Sequence, residues 1–299
     1  MSVAATQFTP LLSNDVLARA ERMRLNPLKR QTNRMRGEHL SGKGGTSIEF
    51  RDYRDYVAGD DIRYVDWNIF ARLNEPYLKL FAHEEEMQVV VLLDASTSMD
   101  FDGKFELARQ IAGCLGVMGL MSVEKVSVYS CGAKQDGPVQ LRPCSGRASL
   151  KKFFRFLEGI QPGGEFPIET AIEAVLQHHR GRGIAVVLSD FLTLGPIPRA
   201  FNLLHGAGLE LYAMQILSPA EIDPDMTGDL RFVDSENEMT LDVSSVGELL
   251  GIYHEHRLGL ERHLETEARK RNGRFVALSS AMSIKEVVFD TLLRRGWVR

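Results

Sequence analysis

The chain has three cysteines in 299 residues, and Cys114, Cys131 and Cys144 show no metal-ligand spacing. An odd, scattered set excludes a disulfide framework and reads as reduced thiols in a cytoplasmic protein. Long apolar runs are missing too: the best stretch, 111–121, is broken by glycines and too short to span a bilayer. No charged segment followed by an apolar run opens the chain, so no secretory leader is expected. Neither sign of charge prevails. The 36 Lys and Arg against 40 Asp and Glu give a formal net charge of −4, with no general attraction to nucleic acid or anionic membrane. Internal repeats and low-complexity tracts are absent. So is a Gly-x-Ser-x-Gly elbow, and Cys114, on the packed side of an expected helix, reads as inert core.

What is present is the composition of a folded globular protein, 44% hydrophobic and 25% charged, long enough to bury a substantial core. Residues 88–93 (QVVVLL) and 184–188 (IAVVL) are short, β-branched and almost wholly apolar, the pattern of strands covered on both faces. Further strands are expected over 125–131, 139–142, 209–216 and 274–278. Phe105, Ala108, Ile111, Leu115 and Met118 fall at helical spacing, and helices are also expected over 149–157, 169–178, 248–271 and 283–294. Strands alternating with helices predict an α/β fold with a doubly wound, mostly parallel sheet and helices on both faces. Segment 227–243, polar at its centre between two short apolar runs, reads as a hairpin insertion. Upstream, one helix over 15–25 ends at Asn26-Pro27. Residues 31–87 are rich in Arg, Tyr, Gly and Asp with little periodicity. The expected division is a small N-terminal module of loops and short strands, 1–86, followed by the sheet domain, 87–299.

Asp94 follows directly on the first buried strand and Asp190 on the later one. In doubly wound sheets ligands bind beyond the carboxyl ends of the strands, where the strand order reverses, so both carboxylates are expected at one crevice. Ser96 and Ser98 fall on the loop after Asp94, and alternate side chains on such a loop converge. Two carboxylates and two hydroxyls make an all-oxygen donor set, which suits Mg²⁺. A site with few charged ligands leaves the ion able to take a carboxylate from another molecule. The plainer explanation, that Asp94 and Ser96 cap the next helix, does not account for Asp190.

These residues carry a resemblance. Asp94-Ala95-Ser96-Thr97-Ser98 after VVVLL resembles the first motif of the metal-ion-dependent adhesion site in the von Willebrand factor A superfamily, and Leu188-Ser189-Asp190 after IAVV resembles its third. The middle motif is a Thr just after a Gly pair. Here Gly163-Gly164 is followed by Glu165, and Thr170 lies further on, in an expected helix. A carboxylate at that position either adds a strong ligand, fills the open position itself, or marks a site without metal. Upstream, Ser41-Gly42-Lys43-Gly44-Gly45, Glu49-Phe50-Arg51-Asp52-Tyr53-Arg54, Gly59-Asp60-Asp61-Ile62-Arg63, Asp66-Trp67, Ala71-Arg72 and Glu85 occur in order. This set is similar to domain of unknown function family fifty-eight, well over residues 37–195 and in outline beyond. The resemblance implies a small module joined to an A-like domain, working with AAA+ ATPases of the MoxR class in protein assembly or maturation.

The expected function is therefore that of a non-catalytic, chaperone-like adapter with no catalytic residue. Asp94, Ser96 and Ser98 hold Mg²⁺, with Mn²⁺ or Ca²⁺ as alternatives, Asp190 orients waters, Glu165 is a candidate ligand, and a protein partner's Asp or Glu completes the octahedron. Two rivals stand beside it: a metal-dependent hydrolase with Glu165 as base, and a metal-free scaffold in which Asp94 and Asp190 are satisfied by backbone donors. Arg51, Arg54, Arg63 and Arg72 interleave with Asp52, Asp55, Asp60, Asp61 and Asp66. That alternation suits a structural ion-pair network more than a nucleic-acid surface. Gly37 to Lys43 mimics a phosphate-binding loop but lacks the Ser or Thr after the lysine. His178-His179 and His254-x-His256 lack a third ligand at metal spacing.

Overall fold

A computed structural model describes residues 7–28, 48–83, 87–132, 139–165, 167–179, 181–192, 195–225, 230–233, 240–243 and 246–299. Two compact units emerge: Met1–Leu28 with Met87–Arg299, and Lys29–Glu86. The first helix, α1 (Asn14–Ala20), belongs to the larger unit.

The smaller unit pairs β1 (Ile48–Asp55) antiparallel with β2 (Tyr77–His83), with a register shift between Phe50 and Asp52. Between them runs α2 (Trp67–Leu73), a helix where only loops and short strands were expected. Asp66 starts it: one carboxylate oxygen accepts from the Asn68 and Ile69 amides, while the other takes the Tyr53 hydroxyl at 3.0 Å and the Lys79 ammonium at 3.1 Å. The ion-pair network is narrower than expected. Arg54 pairs with Asp60 at 2.7 Å and Arg63 with Asp61 at 2.6 Å. Asp66 is served by a lysine instead of an arginine, Arg72 is exposed and pairs with none of the described acids, and the Arg51 side chain lies outside what is described.

In the larger unit the chain runs through β3 (Gln88–Asp94), α3 (Lys104–Met121), β4 (Lys125–Cys131), β5 (Val139–Cys144), α4 (Leu150–Gly159), α5 (Ile168–His178) and β6 (Gly183–Ser189). It continues through α6 (Ile197–Gly206), β7 (Leu209–Leu217), α7 (Pro219–Ile222), the antiparallel pair β8 (Leu230–Val233) and β9 (Thr240–Val243), α8 (Val246–Lys270) and β10 (Arg274–Ser279). A last helix follows, with π-type hydrogen bonding over Glu286–Leu292.

Six strands form one sheet in the order β10-β7-β6-β3-β4-β5, parallel except for β5 at the edge. The apolar runs are explained by burial on both faces. Val89, Val91 and Leu93 of β3 enter one core with Ile184, Val186 and Leu188 of β6, while Val90, Leu92, Ala185 and Val187 enter the other. The first core is closed by α1, α3, α4 and the last helix, the second by α5, α6 and α8.

Helix α3 is buried around almost its whole circumference, so its apolar residues are not confined to one stripe. Gly116 allows this: a Cβ there would stand 2.1 Å from the Phe153 ring of α4. Leu12, Val16 and Leu17 cover the outer side of the same core. The Arg24 and Arg299 main chains exchange hydrogen bonds, and the Asn26 carbonyl accepts from Tyr212 and Arg274. Residues 7–28 therefore pack with the sheet, which corrects the expectation that 1–86 form one module. The reason is that α3 needs a cover on the side away from the sheet.

Candidate functional site

Strand order reverses between β3 and β6, since β3 continues to β4 on one side and β6 to β7 on the other. Asp94 is the last residue of β3, and Asp190 directly follows β6. Both carboxylates thus stand at the carboxyl ends of adjacent parallel strands, and both are buried.

A chain of short hydrogen bonds joins four of the expected residues. The Ser96 amide donates to Asp94 Oδ1 at 2.8 Å, an Asx-type turn that folds the loop back on the strand end. The Ser96 and Ser98 hydroxyls lie 3.0 Å apart, and Ser98 Oγ donates to Asp190 Oδ2 at 2.8 Å. Ser189 Oγ donates to Asp94 Oδ2 at 2.5 Å and accepts from the Phe191 amide. Asp190 Oδ1 accepts from the Leu192 amide at 3.0 Å. Each carboxylate oxygen therefore has a protein donor: backbone amides serve Asp94 Oδ1 and Asp190 Oδ1, and side chains serve Asp94 Oδ2 and Asp190 Oδ2, the last receiving the Lys104 ammonium as well as Ser98.

Neighbouring loops hold this turn in place. The Thr97 amide and hydroxyl both donate to the Gly164 carbonyl, at 2.9 and 3.2 Å, and the Gly163 amide donates to the Ala95 carbonyl at 2.7 Å. The expected Gly pair thus clamps the motif through its backbone. Glu165 is exposed and makes no hydrogen bond to the other four residues, and Thr170 is exposed on α5. On the opposite side, Gly132 adopts φ +101°, and a Cβ there would lie 2.7 Å from the Ser96 nitrogen. Only glycine lets the chain after β4 pass this close to the loop.

Sequence reasoning missed Lys104, Glu221, Ser189 and Gly132. Lys104 opens α3 and is completely buried, its ammonium 2.9 Å from Asp190 Oδ2 and 2.6 Å from Glu221 Oε1. Glu221 itself completes a capping box with Ser218 at the start of α7. A signal for Lys104 did exist, because a cation in the first turn of a helix opposes the helix dipole and needs a reason. Burial works against the charge on Lys104, yet Asp190 and Glu221 outweigh it and hold its pKa above the ordinary lysine value. For Asp94 burial, followed by the charge of Asp190, pushes the pKa well up, and the bonds from Ser189 and Ser96 offset only part of this.

The donor set suits a hard divalent cation: two buried carboxylates and two hydroxyls, all oxygen. Among the described residues no three or more His, Cys, Asp or Glu gather so as to hold a metal. The histidine pairs lie elsewhere: His178 meets the Ala174 carbonyl, His179 the Gly181 carbonyl, and His254 faces Asp223 at 3.7 Å. Cys114 is buried and its thiol is pushed up to about 12, consistent with inert core.

Counted within the domain, the strand order is 3-2-1-4-5-6 with an antiparallel edge strand, and the Asp-x-Ser-x-Ser turn closes the first strand. The class is an α/β domain built on a doubly wound, mostly parallel six-stranded sheet. The chain belongs to the family described as protein of unknown function DUF58, whose model matches residues 52–251. Uncharacterized proteins Mb1516 of Mycobacterium bovis and Rv1480 of Mycobacterium tuberculosis are each 27% identical over 222 residues, covering 70% of this chain and 68% of theirs. Among solved structures, the conserved hypothetical protein BatB from Bacteroides thetaiotaomicron is similar with a TM-score of 0.45 at 15% identity, covering 70% of this chain and 98% of that one. Proximal thread matrix protein 1 from the mussel byssus, solved with a zinc-occupied MIDAS motif, gives 0.43 at 14%, covering 71% and 47%. Among the described residues no helix is long and apolar enough to cross a membrane.

Proposed function

We propose that the chain is a non-catalytic interaction adapter whose A-like domain recognises a partner's Asp or Glu through a divalent cation, with Mg²⁺ as the natural choice. The observation that carries this reading is the continuous Ser96–Ser98–Asp190 hydrogen-bond chain at the switch point, with Asp94 beside it. Asp94, Ser96 and Ser98 would hold the ion and Asp190 would orient its waters. Bound there, the cation would offer an electrophilic position to a carboxylate from outside. Asp94 brings charge, the two hydroxyls add ligands without charge, and the Gly163-Gly164 clamp keeps the turn preorganised. The family resemblance supports a partner in a MoxR-type AAA+ ATPase system concerned with protein assembly, and three free cysteines support action in the cytoplasm. A hydrolase would need a base at the cluster, and Glu165 makes no hydrogen bond to it.

The test is binding of the full chain to its MoxR-class ATPase in Mg²⁺ and in chelator, for wild type and for Asp94→Asn. Asn keeps the volume and the Ser96 acceptor of the carboxylate it replaces. Binding that needs Mg²⁺ and is lost in the variant is expected. Equal binding in chelator would contradict the adapter mechanism.

A further inference from the structure

The adhesion-type donor set has a feature that the proposed function does not use. Lys104 is fully buried, and its ammonium shares one oxygen, Asp190 Oδ2, with the Ser98 hydroxyl, at 2.9 and 2.8 Å. The other Asp190 oxygen is turned away, accepting from the Leu192 amide. The oxygen that faces the serines is thus already claimed by a cation built into the protein. Lys104 is not free to leave, because Glu221 holds it from the opposite side at 2.6 Å. Glu221 is fixed in turn by its capping box with Ser218, and its carbonyl accepts from Tyr253 of α8. The Asp102-Gly103 turn before Lys104, with both residues at positive φ, delivers the side chain inward from the first position of α3.

A buried ammonium this close to the donor set repels any second cation placed there. Charges a few ångströms apart inside a protein interact far more strongly than in water. Three carboxylates (Asp94, Asp190 and Glu221) against one ammonium still leave net negative charge for a divalent ion, but less than the aspartates alone would offer. We propose that Lys104 is a positioning residue that fixes Asp190 and sets the cation affinity of the site low, so that an ion is held firmly only when an outside carboxylate joins it. Glu221 tunes this by drawing the ammonium away from Asp190. The inference rests on the proposed cation site and names how that site is regulated. Its consequence is cooperativity: cation and partner carboxylate bind better together than apart.

The experiment is isothermal titration of the metal-stripped full chain with Mg²⁺ and with Mn²⁺, alongside thermal melts in each ion, for wild type, Lys104→Met, Glu221→Gln and Lys104→Met/Glu221→Gln. Circular dichroism establishes that each chain is folded. The double variant is included because it removes the carboxylate that Lys104→Met alone would strand in the interior. Relative to wild type, Lys104→Met is expected to bind at least about tenfold tighter, the scale set by removing a nearby unit charge at protein-like dielectric. The double variant is expected to bind tighter than Glu221→Gln alone, and Glu221→Gln weaker than wild type. The melts should follow the same order, since an ion that binds only the folded chain raises its stability with affinity. Binding that appears only once Lys104 is replaced would also support the inference, as an extreme of the same effect. Wild-type binding left unchanged or weakened in both Lys104→Met chains overturns the inference while leaving the cation site standing. No binding by any of the four chains overturns both.

Discussion

Gly132 shows how tightly single residues are specified around the site. Its φ of +101° and the 2.7 Å approach of a Cβ to the Ser96 nitrogen mean that Gly132→Ala must strain its own backbone or push the turn aside. Destabilisation of about 2–3 kcal/mol in urea unfolding is expected, together with weaker cation binding. A variant as stable as wild type would show that the turn yields freely. Asp94, Ser96, Ser98 and Asp190 were legible in the sequence because strand-end position and motif spacing agree. Lys104 and Glu221 were not, since they reach the cluster from positions that the motif spacing does not link to it, and Ser189 stood in the motif without its bond to Asp94 being readable. Glu165 was legible as a departure from the family pattern, but its exposed side chain joins none of the hydrogen bonds. Replacing Glu165 with Thr is accordingly expected to leave cation affinity within a few-fold of wild type, and a large gain or loss would make it a ligand or a blocker.

At the scale of elements, periodicity carried most of the sheet and failed where elements are short or buried all round. Strands β3, β4, β6 and β7 were readable as apolar or alternating runs. Helix α6 carries no clear start signal, with Pro196 and Pro198 at its opening, and α2 is hidden by its Arg- and Asp-rich surroundings. Helix α3 was readable as a helix but not as one enclosed on all sides. Gly116→Ala should push α3 and α4 apart and cost about 1–3 kcal/mol of stability, seen as a lower urea midpoint. Asp66 ties α2 to β2, and the hydrogen-bonded Lys79 ammonium, with the Ile69, Tyr53 and Asn68 donors, holds its pKa at about 2 against the opposing effect of desolvation. A depressed carboxylate stabilises fully above its unfolded value and loses that contribution as pH falls through its folded value. The loss should therefore fall between about pH 4 and pH 2. In acid unfolding, the stability gap between wild type and Asp66→Asn should close across that window. A gap unchanged down to pH 2 would mean that the Asp66–Lys79 pair contributes nothing.

For the whole molecule, the two units are not divided where composition changes. The N-terminal residues look like part of the upstream module by their position, yet Leu12, Val16, Leu17 and Ala20 are buried in the sheet domain's core, and Leu25 bridges to Val298. Tertiary cover of this kind leaves no local trace in the sequence. Deleting residues 1–28 should cost several kcal/mol, given about 1.5–3 kcal/mol for each large apolar side chain uncovered, and should expose dye-binding apolar surface. An unchanged melting temperature would restore the simple division at residue 86. The β3–β6 switch point is proposed to hold a divalent cation. Isothermal titration of metal-stripped wild type, Lys104→Met and Asp94→Asn with Mg²⁺ and Mn²⁺ tests it most directly. One-site binding by the wild type that disappears in a folded Asp94→Asn is the expected result. No binding by the wild type or by Lys104→Met, or binding untouched by Asp94→Asn, would contradict it.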